Sequence, residues 1–358
     1  MKIGVVTFWG TKDNYGQVLQ CYALQKVLNK LGHKALLIKY DILDYERERV
    51  AARRSLISHV KDILRRTLFK IENILHDRRF KEFYKKYIMS VGPYSIVEIR
   101  KKTLDFDVLI AGSDQIWSMD CPFLFLDFGK GIKKIAYAVS FGGSEFPKDF
   151  LERVRPWVNE FSHISVREET GISICKQLKR DDAVCFPDPT LLLTSEEYDD
   201  LIPYNDSIEY QDYILVYWLS NPAAISVREI RAFAKRKKLN IVYVTGQGKL
   251  DFCKKSYPTI PEWLALIKNA TYVITNSFHG CVFSIMMKKN FLVIPLIGKY
   301  ARMNGRIDML LNKYNLKSRK WTSSLDAIFA AIDYTDVHMK LEKERQEVIS
   351  QLSQWIKE

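Results

Sequence analysis

Residues 271–295, TYVITNSFHGCVFSIMMKKNFLVIP, decide the fold of this chain. Tyr272–Thr275 has the β-branched and aromatic content of a buried strand, and the apolar run Cys281–Met287 can wind as a helix. Asn276 and Ser277 separate the two, so the stretch predicts a strand, a polar turn and a helix. This order is typical of a doubly wound α/β sheet, in which the strand ends line a ligand crevice.

A histidine lies in the first turn of the predicted helix, where His279 stands between Phe278 and Gly280. The N-terminus of a helix offers free N–H groups and the positive end of its dipole to an anion. A satisfied structural histidine is the alternative at such a position. Asn276, Ser277 and Gly280 add donors, acceptors and close backbone approach around the one titratable group. The turn is therefore predicted to bind a ligand.

The chain length suits two domains, because 358 residues exceed one ordinary core. We expect an N-terminal domain over 1–200, a C-terminal domain over 213–334 and a returning helix over 335–358. Hydrophobic residues make up 47% of the chain, enough to fill both cores, which argues against a disordered protein.

Neither the start of the chain nor its apolar runs indicate export or membrane insertion. Met1 and Lys2 lead straight into a predicted strand, and no apolar run reaches the length of about 18 residues that a transmembrane helix needs. The six cysteines lie far apart with no CxxC pair, which favours reduced core residues over a zinc site or disulfides. These features predict a cytoplasmic protein.

The net charge of +13 is concentrated in one segment. Residues 47–102 hold 16 Lys and Arg against 6 Asp and Glu, a surplus of +10, and apolar residues recur there at helical spacing. A solvated helical face is one interpretation. A peripheral contact with the anionic inner face of a membrane is the functional one. No nucleic-acid motif accompanies the segment, so a nucleic-acid partner is not predicted.

Polar groups follow other predicted strands as well. Asn14, Tyr15 and Gly16 open the first predicted helix, although the loop has neither GxGxxG nor a Walker lysine. Asp114 follows the strand over residues 106–111 and could cap a helix, hydrogen-bond a sugar or accept a proton. Arg167 ends another strand, where it needs Glu168, Glu169 or an anion as its partner, and we rank the anion first.

Taken together, these motifs resemble the polysaccharide pyruvyl transferase family. The resemblance covers residues 1 to about 319 and rests on five short motifs in the family's order. They are Asn14-Tyr15-Gly16 with the helix after it, Gly112-Ser113-Asp114-Gln115-Ile116-Trp117, Ser165-Val166-Arg167-Glu168, Asp188-Pro189-Thr190-Leu191-Leu192, and Thr275-Asn276-Ser277-Phe278-His279-Gly280. Each motif is weak alone, and the ordered set is specific.

The resemblance implies an α/β, GT-B-like fold with two Rossmann-like domains facing a cleft and a C-terminal helix packing back on the first domain. It also implies transfer of the enolpyruvyl group of phosphoenolpyruvate onto two hydroxyls of a sugar as a cyclic ketal, with release of phosphate. The sugar would belong to a bacterial surface polysaccharide, such as a capsule or exopolysaccharide, or to its lipid-linked oligosaccharide precursor. Phosphoenolpyruvate is a co-substrate, and neither a cofactor nor a metal is implied.

Carried onto this sequence, the resemblance assigns roles to three groups of residues. The catalytic group is His279, Arg167 and Asp114; the donor-binding group is Arg167, Asn276, Ser277, His279, Gly280, Lys299 and Arg302; the acceptor-binding group is Asn14, Tyr15, Asp114 and Gln115. Lys299 and Arg302 compete for the place of the second donor-site cation, and Arg306 lies nearby.

Two other functions compete with pyruvyl transfer. A GT-B glycosyltransferase would also place a helix N-terminus and basic residues around a diphosphate, and it predicts binding of a nucleotide sugar. A catalytically idle module that binds a membrane through residues 47–102 predicts that His279 is dispensable.

Overall fold

A computed structural model gives the architecture of most of the chain. The residues it describes are 1–11, 13–41, 71–72, 78–102, 104–202, 212–219, 223–246 and 253–358. Most of the basic segment, residues 47–70 and 73–77, lies outside the described residues, so its predicted amphipathic helices are not described.

The first sheet has seven strands in the order β3-β2-β1-β4-β5-β6-β7, and all neighbouring pairs are parallel. The strands are β1 (Lys2–Val6), β2 (Lys34–Tyr40), β3 (Ser90–Tyr94), β4 (Val108–Asp114), β5 (Lys133–Val139), β6 (His163–Val166) and β7 (Val184–Cys185). Helices cover both faces of a parallel sheet, which explains why every residue of β4 is buried. All seven carboxyl ends therefore lie along one edge.

Six α-helices accompany this sheet in the described residues. They are α1 (Tyr15–Lys30), α2 (Arg78–Tyr87), α3 (Ile96–Lys101), α4 (Lys148–Val158), α5 (Glu169–Gln177) and α6 (Ser195–Asp199). The Asn14 side chain caps α1 by accepting a hydrogen bond from the Gln17 backbone N–H, so the helix starts directly after it at Tyr15. Thr194 starts α6 with a capping box, in which its side chain accepts a hydrogen bond from the Glu197 backbone N–H.

The second sheet has four parallel strands in the order β11-β10-β8-β9. They are β8 (Tyr213–Trp218), β9 (Asn240–Thr245), β10 (Tyr272–Thr275) and β11 (Asn290–Val293). Its helices are α7 (Val227–Arg236), α8 (Ile260–Asn269), α9 (Phe278–Met286) and α10 (Asn304–Lys313). The strand, turn and helix predicted for residues 271–295 are confirmed as β10, the Ser277-capped turn and α9.

The last helix, α11 (Thr335–Lys357), packs on the first domain, as predicted. Arg345 donates hydrogen bonds to the carbonyls of Leu191 and Leu193, and the Trp355 ring stacks on Phe186 at 5.0 Å. Among the described residues, no helix combines the length and the apolar character needed to cross a membrane.

Candidate active site

The candidate site lies where the first turn of α9 meets the carboxyl edge of the first sheet. Asp114 ends β4, Arg167 directly follows β6, and Asp188 follows β7 after two residues. Phe278 and His279 come from the second domain, in the first turn of α9. The structure thus brings together the three predicted catalytic residues His279, Arg167 and Asp114.

Arg167 is buried, with 1% of its surface exposed, and its Nη1 pairs with Asp188 Oδ2 at 2.5 Å. Among the groups of the protein itself, the closest partner of Arg167 is therefore Asp188 and not Glu168 or Glu169, and binding of an anion stays a prediction. The ends of β6 and β7 are neighbours in the sheet, which puts Asp188 beside the guanidinium. Nη2 lies 3.5 Å from Asp114 Oδ1, and neither Nε nor Nη2 makes a hydrogen bond within the described structure. Arg167 therefore keeps N–H groups for a ligand.

Asp188 links Arg167 to the histidine. Its Oδ1 accepts hydrogen bonds from Thr190 N at 3.0 Å and Oγ1 at 2.7 Å, and its Oδ2 lies 3.4 Å from His279 Nε2. Burial alone raises the pKa of Asp188, but the charges of His279 and Arg167 and the bond from Thr190 outweigh it. The pKa of Asp188 therefore lies well below its usual range, and the carboxylate stays ionised.

No role for Asp188 was predicted from the sequence. Its Asp-Pro-Thr context is typical of a cap, and the side chain does cap the short 3-10 helix over Pro189–Leu192. The available signal was Arg167, a buried cation that requires a carboxylate.

Gly16 touches the histidine from the other side. A Cβ added to Gly16 would lie 2.0 Å from His279 Cγ and 2.1 Å from its Nδ1, distances that no pair of such atoms tolerates. The absence of a side chain lets the first turn of α1 rest on the imidazole. The Asn-Tyr-Gly motif thus joins the two domains at His279.

Replacing Gly16 by alanine is expected to separate α1 from α9. The added methyl must displace the ring, and overpacking of this kind costs about 1–3 kcal/mol of unfolding free energy. Urea denaturation checks this against Gly305→Ala, because a Cβ at Gly305 meets nothing within 4 Å. Equal stability of the two variants would contradict the contact between Gly16 and His279.

Arg306 of α10 is the second cation that the structure brings to the site. Its guanidinium lies 5.8 Å from the centre of the Phe278 ring, and that of Arg167 lies 4.9 Å from the same ring. Burial, and then the like charge of Arg167, lower the pKa of Arg306 to about 10. Its buried Nε has no hydrogen-bond partner in the described structure. Two guanidinium groups, one from each domain, therefore flank the Phe278 ring, and each has N–H groups without a hydrogen-bond partner in the described structure.

The two cations predicted for this role, Lys299 and Arg302, belong to the segment that precedes α10. Arg302 is exposed in the 3-10 helix over Gly298–Met303, on the wall of a cavity that adjoins the cluster. The backbone of Lys299 belongs to the same 3-10 helix, and its side chain lies outside the described part of the structure. Arg306 lies only a few positions from Lys299 and Arg302 in the sequence. Its place in the first turn of α10 brings its guanidinium beside the Phe278 ring, which the sequence alone does not indicate.

Asp114 holds a backbone conformation that favours glycine, with φ of 68°. Its Oδ2 accepts a hydrogen bond of 3.0 Å from Gln17 Nε2, in the first turn of α1. Burial opposes ionisation of Asp114, but the charges of Arg167 and His279 outweigh it and leave its pKa lowered. A strained residue with an ionised, oriented carboxylate is typical of a functional site.

A cavity of about 890 Å³ opens beside this cluster. The loops after β4 and β5 form most of its wall, including Gln115, Gly142 and Gly143, and the second domain adds Arg302 and Met303. Gln115, a predicted acceptor residue, therefore faces this cavity.

The remaining predicted site residues have structural contacts. The Asn276 amide binds the backbone of Leu219 through both its oxygen and its nitrogen, at 2.8 and 3.2 Å. Ser277 caps α9, and a Cβ on Gly280 would lie 2.3 Å from Thr275 Oγ1. These residues shape the turn that carries His279.

Tyr15 is buried and does not face the cavity. Its ring stacks on Trp263 of the second domain at 5.1 Å, and its hydroxyl donates to the Pro258 carbonyl at 2.8 Å. Tyr15 therefore packs the two domains against each other.

The chain is similar to a known protein family. The family model described as polysaccharide pyruvyl transferase matches residues 14–296. No curated protein sequence matches the chain.

Solved structures share the architecture at low identity. UDP-GlcNAc 2-epimerase from Methanocaldococcus jannaschii, in complex with UDP-GlcNAc and UDP, is 13% identical over 96% of this chain and 99% of its own, with a TM-score of 0.50. A Streptomyces sp. SF2575 glycosyltransferase is 13% identical over 100% of both chains, with a TM-score of 0.42. The likeness to the epimerase concerns the fold alone and says nothing of the reaction. Because the family match spans most of the sequence, the chain belongs to the polysaccharide pyruvyl transferase family.

Proposed function

We propose that the protein transfers the enolpyruvyl group of phosphoenolpyruvate onto two hydroxyls of a sugar, forming a cyclic ketal and releasing phosphate. One observation carries the proposal: Arg167 and Arg306, from opposite domains, flank Phe278 beside His279 and keep unbonded N–H groups. Phosphoenolpyruvate carries a phosphate and a carboxylate, and guanidinium groups bind both in a bidentate manner. A donor bound there would replace the missing hydrogen bonds.

The reaction needs one proton delivered and two removed. Protonation of C3 of the enol makes C2 electrophilic, and the first sugar hydroxyl adds to C2 and loses its proton. The C2–O bond to phosphate then breaks, and phosphate leaves with the electron pair. The second hydroxyl attacks C2 and loses its proton, which closes the ketal.

His279 suits the proton transfers. Its Nε2 makes no hydrogen bond within the described structure and lies 3.4 Å from the carboxylate of Asp188, which forms an ion pair with the ring when the ring is protonated. A positioned acid or base of this kind contributes a factor of about 10² to 10⁴ to the rate. Asp188 fixes both the imidazole and Arg167, so the proton carrier and the anion site are aligned together.

The acceptor sugar fits the cavity beside Asp114. Gln115, Ser118 and Glu145 bring amide, hydroxyl and carboxylate groups to its wall, which are the groups that bind sugar hydroxyls. We assign Asp114 to the acceptor hydroxyls, because Gln17 orients its ionised carboxylate at that end of the cluster. The acceptor is a sugar of a bacterial surface polysaccharide or of its lipid-linked precursor. Phosphoenolpyruvate serves as co-substrate, and no step calls for a metal or other cofactor.

Replacing Arg306 by alanine is expected to weaken phosphoenolpyruvate binding about 10- to 100-fold, the effect of losing hydrogen bonds between charged groups. Isothermal titration calorimetry measures the dissociation constant. Arg302→Ala is the matched control, since it removes the same charge from the wall of the acceptor cavity and should change the constant for phosphoenolpyruvate less than threefold. The opposite ranking of the two variants would move the donor site to Arg302, and no binding by wild type would refute the proposed donor.

A further inference from the structure

The cavity of about 890 Å³ beside the candidate site has an aromatic wall made of Phe141, Phe146 and Phe150. Phe141 and Phe150 are buried at 0% and 6% exposure, whereas Phe146 is half-buried. The Phe150 ring stacks on the Phe146 ring with the centroids 4.6 Å apart, and Phe141 contacts it edge-on at 5.7 Å. The two buried rings therefore hold Phe146 in place, and its remaining surface faces the cavity.

A turn of two glycines lies beside the Phe146 ring. A Cβ on Gly143 would lie 3.8 Å from Cε2 of that ring, so a larger side chain at this position would start next to it. Gly142 has a φ of 69°, and a Cβ there would lie 2.6 Å from Gln115 Nε2. The Gln115 amide and the Phe146 ring therefore pack against the same turn, which places a hydrogen-bonding group near an apolar surface.

Hydrogen bonds tie this turn to the reaction centre. The Ser140 N–H donates to the Asp114 carbonyl at 2.9 Å, and the Gly142 N–H donates to Ser140 Oγ at 3.1 Å. Ser140 Oγ donates in turn to Oε1 of Glu168, the residue after Arg167, at 2.7 Å. The loop that carries the half-buried ring is therefore fixed, at its start, to the strand ends that carry the predicted catalytic residues.

Formation of a cyclic ketal favours an anchor for the sugar that involves neither reacting hydroxyl. The two hydroxyls of one sugar attack the same carbon in succession, and each must be free to approach it and to lose its proton. The ring of a hexopyranoside also has a face made largely of C–H bonds. Burial of that face against an aromatic ring removes apolar surface from water and leaves the hydroxyls at the edge of the sugar available.

We propose that Phe146 is the platform on which the ring of the acceptor sugar stacks, so that a hexopyranoside binds through its C–H face. The inference deepens the proposed function and rests on it, because the same cavity is assigned there to the acceptor. Gln115 would then hydrogen-bond the edge of the stacked sugar, and the neighbouring Asp114 would meet the reacting hydroxyls. An apolar surface with a few placed polar groups is the usual construction of a small-molecule site.

Saturation-transfer difference NMR of the full chain tests the platform with methyl β-glucopyranoside, methyl β-galactopyranoside and methyl α-mannopyranoside, with and without phosphoenolpyruvate. The C–H protons on one face of a bound glycoside should receive the strongest saturation. Phe146→Leu should weaken binding about tenfold, because leucine still packs on Phe141 and Phe150 but has no flat face. Phe146→Trp should retain the affinity. Phe329→Leu is the matched control, since that ring is 37% exposed on the second domain and does not line the cavity.

Equal affinity of Phe146→Leu and the wild-type protein would overturn the inference, as would failure of all three glycosides to bind. Equal binding of mannitol, which has hydroxyls but no ring, would also overturn it, because hydroxyls alone would then hold the acceptor.

Phosphate release from phosphoenolpyruvate in the same samples separates the two proposals. If the wild-type protein releases phosphate with a glycoside and Phe146→Leu does so with an unchanged kcat/KM, the proposed function stands and the platform is refuted. If binding of the glycosides depends on Phe146 but no phosphate is released, pyruvyl transfer to these sugars is refuted and Phe146 remains a sugar contact.

Discussion

Replacing His279 by glutamine is expected to lower the turnover of pyruvyl transfer by a factor of about 10² to 10⁴, the share that a positioned proton carrier contributes. Glutamine keeps a polar side chain beside Asp188 and Gly16 but cannot exchange a proton near neutral pH. Phosphoenolpyruvate should still bind, since Arg167 and Arg306 remain. The loss should therefore appear in kcat.

Phosphate release from phosphoenolpyruvate with a panel of 4-nitrophenyl hexosides measures this effect. His33→Gln is the control, because His33 lies in the turn before β2, at the opposite edge of the sheet. It should keep the wild-type rate. A His279→Gln variant that retains its kcat would indicate that the histidine only joins the two domains.

Replacing Asp188 by asparagine is expected to lower the free energy of unfolding by about 3 kcal/mol at pH 7, because it leaves the Arg167 charge buried without its closest partner. The effect has a definite pH dependence. Since the folded-state pKa of Asp188 is lowered from 3.8, its contribution is fully present above that pH and is lost as the pH falls below it. The variant should therefore lose less stability than wild type on acidification through this range.

Urea unfolding at pH 7 and at about pH 3 measures both parts of this prediction. Asp182→Asn is the matched control, since it breaks the pair with Arg180 on a carboxylate that is 54% exposed. A surface pair of that kind contributes at most about 1 kcal/mol. Equal destabilisation by the two variants would mean that Asp188 does not hold the network together.

The sequence predicted most of the fold because strands and helices alternate with clear apolar patterns. The segment from β10 to α9 follows from its composition alone, and so does the long amphipathic α11. The resemblance implied that the C-terminal helix returns to the first domain, and the apolar pattern alone did not. Contacts of Arg345 and Trp355 with the first domain hold the helix there.

The site was predicted less completely, for physical reasons. Local patterns identified Arg167 and His279, but the partner of Arg167 depends on the order of strands in the sheet, which sets Asp188 beside it. Tyr15 and Gly16 are neighbours in one motif but have different partners. Gly16 contacts His279 and Tyr15 stacks on Trp263, and only the packing of α1 against the second domain determines which residue meets which. Arg306 required the geometry of α10, because three basic residues within a few positions are equivalent in sequence.

The roles proposed for Arg167, Arg306 and His279 all depend on phosphoenolpyruvate being the donor. Thermal unfolding with phosphoenolpyruvate or UDP-GlcNAc, for wild type and Arg167→Ala, tests it most directly. A ligand at a hundred times its dissociation constant adds about 2.7 kcal/mol, which a melting curve detects. We expect phosphoenolpyruvate to raise the Tm of the wild-type protein, UDP-GlcNAc to leave it unchanged, and Arg167→Ala to lose the effect of phosphoenolpyruvate. Stabilisation by UDP-GlcNAc alone would contradict pyruvyl transfer and favour a nucleotide-sugar glycosyltransferase.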